Sequence, residues 1–387
     1  MDLNLSADEI AFRDDLRAFI AANLPEEWRG VSDVSSRVDD ALTRQWLDRL
    51  APQGYLTAGW PAEFGGVPKW TPMQQHIFRS ELARARAPEV PMMEFGMVAP
   101  LVILFGSDEQ KARFLPRILS GEDRWGQGFS EPQAGSDLAS LRTGARREGD
   151  DYVVNGQKIW TTFAHKATML FCLVRTDPDA ARPHAGISML FIPTDTPGIT
   201  IRPIWTIEGA HHFNEVFFDD VRVPVSARLG EENKGWDYAR ALLSFERFGA
   251  AALQTTQEIL AQIGDLIDAD DPLRLDLAAL EAEAAALEMY ELRTFDGATR
   301  GLETGIEPSI LKVVGSELRQ RTLRLGEDGL GVHAEVRAAE GAPVHPSGIG
   351  RHFGTDSLFF RAATIYGGAN EVQRNIIAKA LLRGAGV

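Results

Sequence analysis

The chain has 387 residues and a formal net charge of -15, with 44% hydrophobic and 25% charged residues. This length exceeds one ordinary hydrophobic core and predicts two or three domains. The acidic balance argues against nucleic acid or an anionic membrane as a partner. Because the sequence has no run of about 18 apolar residues, we predict a soluble protein without a membrane span.

The single cysteine, Cys172, excludes disulfides and cysteine-based metal sites within one chain. It lies in the apolar run 169–174, which predicts a buried strand. The N-terminus begins with a helix-start signal, Ser6-x-x-Glu9, rather than a basic region followed by an apolar segment, and the C-terminus carries no recognised address. We therefore expect a cytoplasmic protein.

Residues 1–122 carry helix-start signals at three places. Ser6 and Ser107 each stand three residues before a Glu or Gln, and Thr71-Pro72 places a cap before a proline at the first turn. Glycines and prolines separate these segments. This pattern predicts an N-terminal helical domain.

Residues 123–232 change to short β-rich runs. Asn155-Gly156 falls between two of them and predicts a hairpin turn. We predict an antiparallel β-domain, with strands at 152–154, 158–163, 187–192 and 216–218.

Residues 233–387 return to helical patterns. Apolar residues recur at three- and four-residue spacing over 273–300 and again over 307–325. Between 326 and 354 the pattern gives way to Gly, Pro, His and Ser, which predicts a long loop. Long helices with short connections indicate a helical bundle.

Three motifs resemble those of the acyl-CoA dehydrogenases. Residues 127–138 read QGFSEPQAGSDL, residues 158–162 read KIWTT, and residues 363–378 read ATIYGGANEVQRNIIA. The resemblance covers nearly the whole chain. It implies an α+β fold with an N-terminal helical domain, a middle antiparallel β-barrel-like domain and a C-terminal four-helix bundle.

The resemblance also implies FAD as the cofactor. Phe129 and Ser130 would contact the pyrimidine end of the flavin, Trp160 would lie beside the isoalloxazine, and Thr162 would face its reactive nitrogen. Trp160 and Thr162 are two residues apart, so a strand would place them on one face. The other positions implied to contact the cofactor are Gln127, Ala369 and Glu371.

The catalytic base is the main departure from the family pattern. Many members have a glutamate directly after the signature tyrosine, but here Gly367 follows Tyr366. A subset of the family instead places its base in a Glu-Arg pair on an earlier helix, which Glu246-Arg247 matches. The alternative is a surface salt bridge made by either residue, but the glycine at 367 favours Glu246 as base. By the same resemblance, substrate contacts would come from Ser136, Ser244, Arg247, Tyr366 and Gly367.

Half of the family's FAD site is contributed by a neighbouring subunit, through an arginine and a glycine-rich turn. The matching segments here, 263–271 and 325–330, are rich in Asp and Glu, which would repel a pyrophosphate. Within the family, the chain resembles the large subunit of pimeloyl-CoA dehydrogenase and subunits of heteromeric steroid side-chain acyl-CoA dehydrogenases. We therefore expect a paralogous subunit in an α2β2 assembly, with a homo-oligomer as the alternative.

The expected activity is dehydrogenation of an acyl-CoA substrate, with electrons passing to an electron-transfer flavoprotein. Two alternatives remain, a non-catalytic scaffold subunit and an acyl-CoA oxidase. His211-His212 does not predict a metal site, because side chains of adjacent residues do not converge as i, i+4 histidines would. No GxGxxG or GxxxxGK loop supports a Rossmann or P-loop nucleotide site.

Overall fold

Helices, then strands, then helices follow one another along the chain. The structure is a computed structural model that describes residues 5–30, 40–250, 252–299, 305–335 and 352–384, apart from the side chains at 243–250, 298, 299, 335, 383 and 384. Within these residues no helix combines the length and the apolar composition needed to cross a membrane. This order confirms the predicted mixed α+β class.

The chain divides into two compact units, neither of which is continuous in sequence. We call residues 50–68 and 90–246 the β unit, and the remainder, which comprises 1–49, 69–89 and 247–387, the helical unit. The first five helices are α1 Ala7–Asn23, α2 Asp40–Leu50, α3 Pro72–Arg84, α4 Ala99–Phe105 and α5 Asp108–Ser120, with a π-helix at Met92–Val98 leading into α4.

The predicted helix starts are confirmed. Ser6, Thr71 and Ser107 are the N-caps of α1, α3 and α5, and each side chain accepts a hydrogen bond from the backbone N–H three residues later. In each case the Glu or Gln at that later position bonds back to the cap residue. These capping boxes could be predicted because all their groups lie within one turn.

A seven-stranded sheet dominates the β unit. Its strands are β1 Trp125–Gly128, β2 Gly144–Glu148, β3 Asp151–Thr162, β4 Met169–Arg175, β5 Ile187–Pro193, β6 Ile199–Trp205 and β7 His211–Pro224. Their order is β1-β4-β2-β3-β7-β6, with β5 paired to β4. The buried strand predicted around Cys172 is β4, and its central residues are inaccessible to solvent.

Most strand pairs of the sheet are antiparallel, as predicted, but β4 runs parallel to two of its neighbours. It pairs with β1 from Trp125↔Met169 onward and meets β2 at Gly144↔Arg175. Long connections separate β4 from both strands in sequence, as parallel pairs require. One consequence is that β1 is paired with β4 along its whole length, which fixes the starting point of the loop that follows it.

The predicted turn at Asn155-Gly156 is wrong. Both residues lie inside β3, at an irregularity opposite β7. A Cβ on Gly156 would come within 2.6 Å of Thr143, so the glycine permits a close approach of two chain segments. The actual hairpin turn is Gly149-Asp150, between β2 and β3, where Gly149 adopts the positive φ of 62° that such turns require.

Apolar side chains cover both faces of the sheet. On one face, Phe114 of α5 meets Trp125 and Phe191 in edge-to-face contacts with ring centroids 5.3 and 5.4 Å apart. A second cluster on the sheet includes Tyr152, Cys172 and Leu190, all fully buried. Burial on both sides makes this sheet a rigid base for the loops at its edge.

The helical unit combines α1, most of α2, and α3 with the C-terminal helices. These are α7 Leu253–Leu266, α8 Leu273–Thr299, α9 Glu307–Leu330, α10 Phe353–Phe359 and α11 Asn370–Gly384, while α6 Gly235–Ala250 lies mostly in the β unit. Their shared core is a cluster of leucines and isoleucines from α7, α8 and α9 together with Phe353. The helices predicted at 273–300 and 307–325 correspond to α8 and α9.

A buried histidine links three helices of this unit. His76 on α3 has Nδ1 3.0 Å from Glu291 Oε2 and Nε2 3.6 Å from Glu288 Oε1, both on α8. Gln254 of α7 donates to the same Glu291 oxygen at 2.7 Å. Burial alone would lower the pKa of His76, but hydrogen bonds to the two carboxylates and their charges raise it to about 9.

The predicted loop from 326 onward begins too early. Helix α9 continues to Leu330, and residues 336–351 lie outside the described residues. Gly326 faces the ring of Phe353, and a Cβ there would come within 2.5 Å of that ring. Gly326 lies inside α9, where the absence of a side chain makes room for Phe353. In the sequence alone, a glycine at such a contact looks the same as a glycine that ends a helix.

Two helical glycines allow a matched test of this packing. Gly326→Ala is expected to destabilise the fold by about 1–3 kcal/mol, because its methyl group overpacks the core. On α7, a Cβ added at Gly264 would lie 3.7 Å from its nearest neighbour, which is ordinary contact. Gly264→Ala is therefore expected to stabilise the fold by about 0.5–1 kcal/mol. Chemical denaturation of both variants measures the difference, and equal effects would contradict this interpretation.

Candidate active site

The first predicted flavin motif forms a loop that leaves β1. Phe129 is buried edge-on against Phe171 of β4, with ring centroids 5.5 Å apart. Glu131 and Ala134 exchange two backbone hydrogen bonds of 3.0 Å, which close a tight turn. Gln127 and Ser130 are half-buried and Ser136 is exposed. Gln127, Ser130 and Ser136 are therefore accessible to a ligand.

Beneath this loop lies a buried ion pair that sequence reasoning missed. Lys158 of β3 is inaccessible to solvent, and its Nζ donates to Glu131 Oε1 at 2.8 Å and to the Phe129 carbonyl at 3.0 Å. Burial by itself would raise the pKa of Glu131, but the charge of Lys158 and several hydrogen bonds hold it at about 2. The sequence signal for this pair is a lysine in the middle of a strand that also contains apolar residues, because a lysine buried there needs a partner of opposite charge.

The second predicted motif contains a bulge with a strained residue. Register between β3 and β7 passes from Lys158↔Val216 to Thr161↔Asn214, so β3 carries one extra residue there. Trp160 has a φ of +61° and an exposed side chain, 55% accessible. A bulky residue seldom adopts such a backbone, and outliers of this kind cluster at functional sites.

The two motifs are joined directly. Ile159 donates its backbone N–H to the Ser130 carbonyl at 2.9 Å, so the bulge and the loop share a hydrogen bond. Thr161 is buried, whereas Trp160 is exposed and Thr162 is half-buried. The structure therefore places Ser130 next to β3 at Ile159, one residue before the exposed Trp160.

A pair of histidines lies just after the end of β3 and at the start of β7. The rings of His165 and His211 stack with centroids 3.7 Å apart, and both bond Asn214 Oδ1, at 3.3 and 2.8 Å. His212 is buried with Nε2 3.4 Å from Glu208, and burial lowers its pKa. Among the described residues, no group of three or more His, Cys, Asp or Glu side chains is arranged to hold a metal ion.

The C-terminal signature forms a turn in the helical unit. Gly367 and Gly368 have φ values of +61° and +86°, and Asn370 begins α11. Asn370 is buried, and its Oδ1 accepts from Lys312 Nζ at 2.7 Å. Tyr366 and Glu371 are exposed and Ala369 is half-buried. Two consecutive left-handed residues explain why glycine occupies these positions.

The predicted base and two of the predicted substrate-binding residues lie on α6. Ser244, Glu246 and Arg247 belong to α6, but their side chains lie outside the described residues. The backbone there is helical, as the sequence predicts. Their roles in the site remain predictions.

The acidic segments have a defined local structure. α7 ends at Leu266, and Asp265, Asp268 and Asp270 are exposed around the following loop. Arg274 donates to the carbonyls of Gly264 and Asp268, at 2.9 and 3.0 Å, and so caps the end of α7. In the other segment, Glu327 accepts a hydrogen bond from Ser357.

Family models match three consecutive parts of the chain. They describe the N-terminal, middle and C-terminal domains of acyl-CoA dehydrogenases and match residues 6–122, 126–221 and 233–382. The chain belongs to the acyl-CoA dehydrogenase family. It is an oxidoreductase of that family, whose members are in general flavin-dependent.

Related acyl-CoA dehydrogenases match over nearly their full length. IpdE1 of Mycobacterium tuberculosis is 38% identical over 96% of both chains, and FadE26 of the same organism is 36% identical over 99% of this chain and 98% of its own. Among solved structures, the Tcur3481-Tcur3483 steroid ACAD matches with a TM-score of 0.85 and 32% identity over 100% and 99% of the two chains. The ChsE4-ChsE5 complex from M. tuberculosis gives 0.83 and 34% over 99% of each.

Proposed function

We propose that this acyl-CoA dehydrogenase uses FAD to convert an acyl-CoA thioester to the trans-2-enoyl-CoA. The observation that carries the proposal is the strained bulge of β3, which exposes the indole of Trp160 one residue after the hydrogen bond between Ile159 and Ser130. An exposed indole suits the face of a flat ring, and two hydroxyls suit its polar edge. These residues fit the isoalloxazine of FAD. The nearby Gln127 adds an amide that can both donate and accept.

Glu246 is the proposed base that removes the proton from the α-carbon of the thioester. A positioned base contributes roughly 10²- to 10⁴-fold to the rate. The backbone N–H of Gly367 would donate to the thioester carbonyl oxygen, where negative charge develops. This donor does not depend on a side chain, so it remains when the family's glutamate is replaced by glycine. FAD, when bound, accepts the hydride that leaves the β-carbon.

We further propose that a paralogous subunit completes the FAD site. Asp265, Asp268 and Asp270 are exposed where the family pattern has an arginine, and Arg274 is engaged with main-chain carbonyls. Carboxylates at this position oppose a pyrophosphate. The names of two structural relatives, Tcur3481-Tcur3483 and ChsE4-ChsE5, each join two subunits, which supports an unlike pair.

FAD content tests the need for a partner. The chain is purified alone and after co-expression with a neighbouring gene of the same family. Little FAD alone, and about one FAD per unlike pair on co-expression, is the expected result. About one FAD per chain in the protein purified alone would contradict the heteromer and favour a homo-oligomer.

The electron acceptor and the acyl group are tested on the loaded enzyme. We propose an electron-transfer flavoprotein as acceptor, in which case turnover in air should release little peroxide. Peroxide equal to the enoyl product would instead identify an oxidase. One relative is named as a steroid enzyme, so a steroid side-chain CoA ester is the first thioester to assay, followed by dicarboxylic and straight-chain esters.

A further inference from the structure

A fully buried lysine stands two residues before the strained tryptophan of the bulge. Lys158 is paired with Glu131, and neither side chain is more than 2% accessible. Burying two charges costs free energy that a well-packed apolar pair would not. We therefore expect the Lys158–Glu131 pair to have a role, beyond packing, that two apolar side chains could not perform.

The Glu131 carboxylate joins its own loop to the segment that precedes β2. It accepts the backbone N–H groups of Arg142 and Thr143, at 2.7 and 2.8 Å, and the side-chain amide of Gln133 at 2.7 Å. With Lys158 these make four donors, which matches the number of lone pairs on a carboxylate. An apolar side chain could satisfy none of these groups. The pair therefore holds the loop after β1 to the chain leading into β2.

Lys158 connects this anchored loop to the bulge. Its ammonium bonds the carbonyl of Phe129, and the next residue of β3, Ile159, bonds the carbonyl of Ser130. Two consecutive residues of β3 therefore donate hydrogen bonds to the carbonyls of two consecutive residues of the loop. Trp160 follows at once with its positive φ, a conformation that persists only where the surroundings determine it.

We propose that Lys158 and Glu131 are positioning residues, which hold Trp160 and Ser130 in the arrangement that receives the flavin. This inference rests on the proposed use of FAD. Neither residue touches the flavin in this account. Their effect passes through the Phe129 carbonyl and the hydrogen bond between Ile159 and Ser130.

The competing explanation is that the pair serves stability alone. A double variant, Lys158→Met with Glu131→Met, separates the two roles because it removes both charges and keeps similar side-chain volume. It leaves neither charge buried without its partner, but the backbone N–H groups of Arg142 and Thr143 lose their acceptor, so some loss of stability is expected. The single variant Lys158→Met leaves an uncompensated carboxylate and is expected to unfold more readily, so it serves only as a reference for stability.

The first readout uses the protein without cofactor. Amide hydrogen exchange at Ile159 reports its bond to Ser130 whether or not FAD is ever bound. The double variant is expected to exchange there at least about tenfold faster than the wild type, the effect of losing roughly one hydrogen bond. A general loss of stability would speed exchange throughout the sheet, so the amides of β5, which pairs with β4, serve as the internal reference and should change less than Ile159.

The second readout is FAD affinity in protein co-expressed with its paralogue. We expect the double variant to bind FAD at least about tenfold more weakly. Tyr152→Phe is the matched control, since Tyr152 lies on the same strand and bonds Arg228 and Glu232 away from the bulge. This control should change the thermal midpoint and leave Ile159 exchange and FAD affinity unaltered.

Two results would overturn the inference. If the double variant keeps both the slow exchange of Ile159 and wild-type FAD affinity, the pair does not position the bulge. If the control changes FAD affinity as much as the double variant does, the effect is general destabilisation. A wild-type protein that fails to bind FAD would contradict the proposed function instead. In that case the exchange rate of Ile159 would still show whether the Lys158–Glu131 pair keeps the bulge bonded to Ser130.

Discussion

Glu246→Gln is expected to lower kcat by about 10²- to 10⁴-fold and to leave FAD content unchanged. Glutamine keeps the size of the side chain and removes only its ability to accept a proton from the α-carbon. Because Gly367 offers no carboxylate at the family's other position, no second base should compensate. The measurement is turnover of the loaded enzyme with a CoA thioester and an artificial electron acceptor.

Glu281→Gln is the matched control for this change. Glu281 is an exposed glutamate on α8, so the substitution makes the same chemical change at a site without a proposed role. Its turnover should equal that of the wild type. A fully active Glu246→Gln enzyme would exclude Glu246 as the base, and a form that loses FAD would show that the residue acts in folding or cofactor binding.

His76→Leu is expected to destabilise the protein by about 3–5 kcal/mol, because it removes the cation that is hydrogen-bonded to the buried Glu291 carboxylate. The interaction joins α3 to α8, so its loss affects the attachment of an N-terminal helix to the C-terminal ones. Denaturant unfolding of wild type and variant at a fixed pH measures the difference. Arg321→Gln, which breaks the more exposed Arg321–Glu283 pair on α9 and α8, should cost no more than about 1 kcal/mol.

The effect of His76 should depend on pH in a defined direction. The pKa of His76 is raised in the folded state to about 9 from an ordinary value of 6.5. Its stabilising contribution is therefore complete below about 6.5 and is lost as the pH rises through about 9. The stability difference between wild type and His76→Leu should shrink over that interval. A constant difference from pH 6 to pH 10 would show that the imidazole is not charged in the folded protein.

Local signals in the sequence predicted much of the fold. Capping boxes at Ser6, Thr71 and Ser107 place three helix starts correctly, since each depends on groups within one turn. The apolar run around Cys172 correctly predicts a buried strand. Two of the family motifs coincide with the loop after β1 and with the bulge of β3.

The features that sequence reasoning missed depend on contacts between distant segments. Gly156 and Gly326 were interpreted as a turn and a helix end, but each makes room for a side chain far away in sequence. The parallel pairing of β4 and the Lys158–Glu131 bond likewise join separated stretches. A glycine's local preference does not distinguish a turn from a close contact, so only the folded chain separates them.

Anaerobic mixing of the co-expressed, FAD-loaded enzyme with a panel of CoA thioesters tests the central claim most directly. Loss of the oxidised flavin absorbance with at least one thioester, together with formation of the 2-enoyl product, is the predicted result, and the Glu246→Gln enzyme should show neither on the same timescale. Unchanged flavin absorbance in the wild type with steroid side-chain, dicarboxylic and straight-chain esters alike would contradict dehydrogenation by this chain.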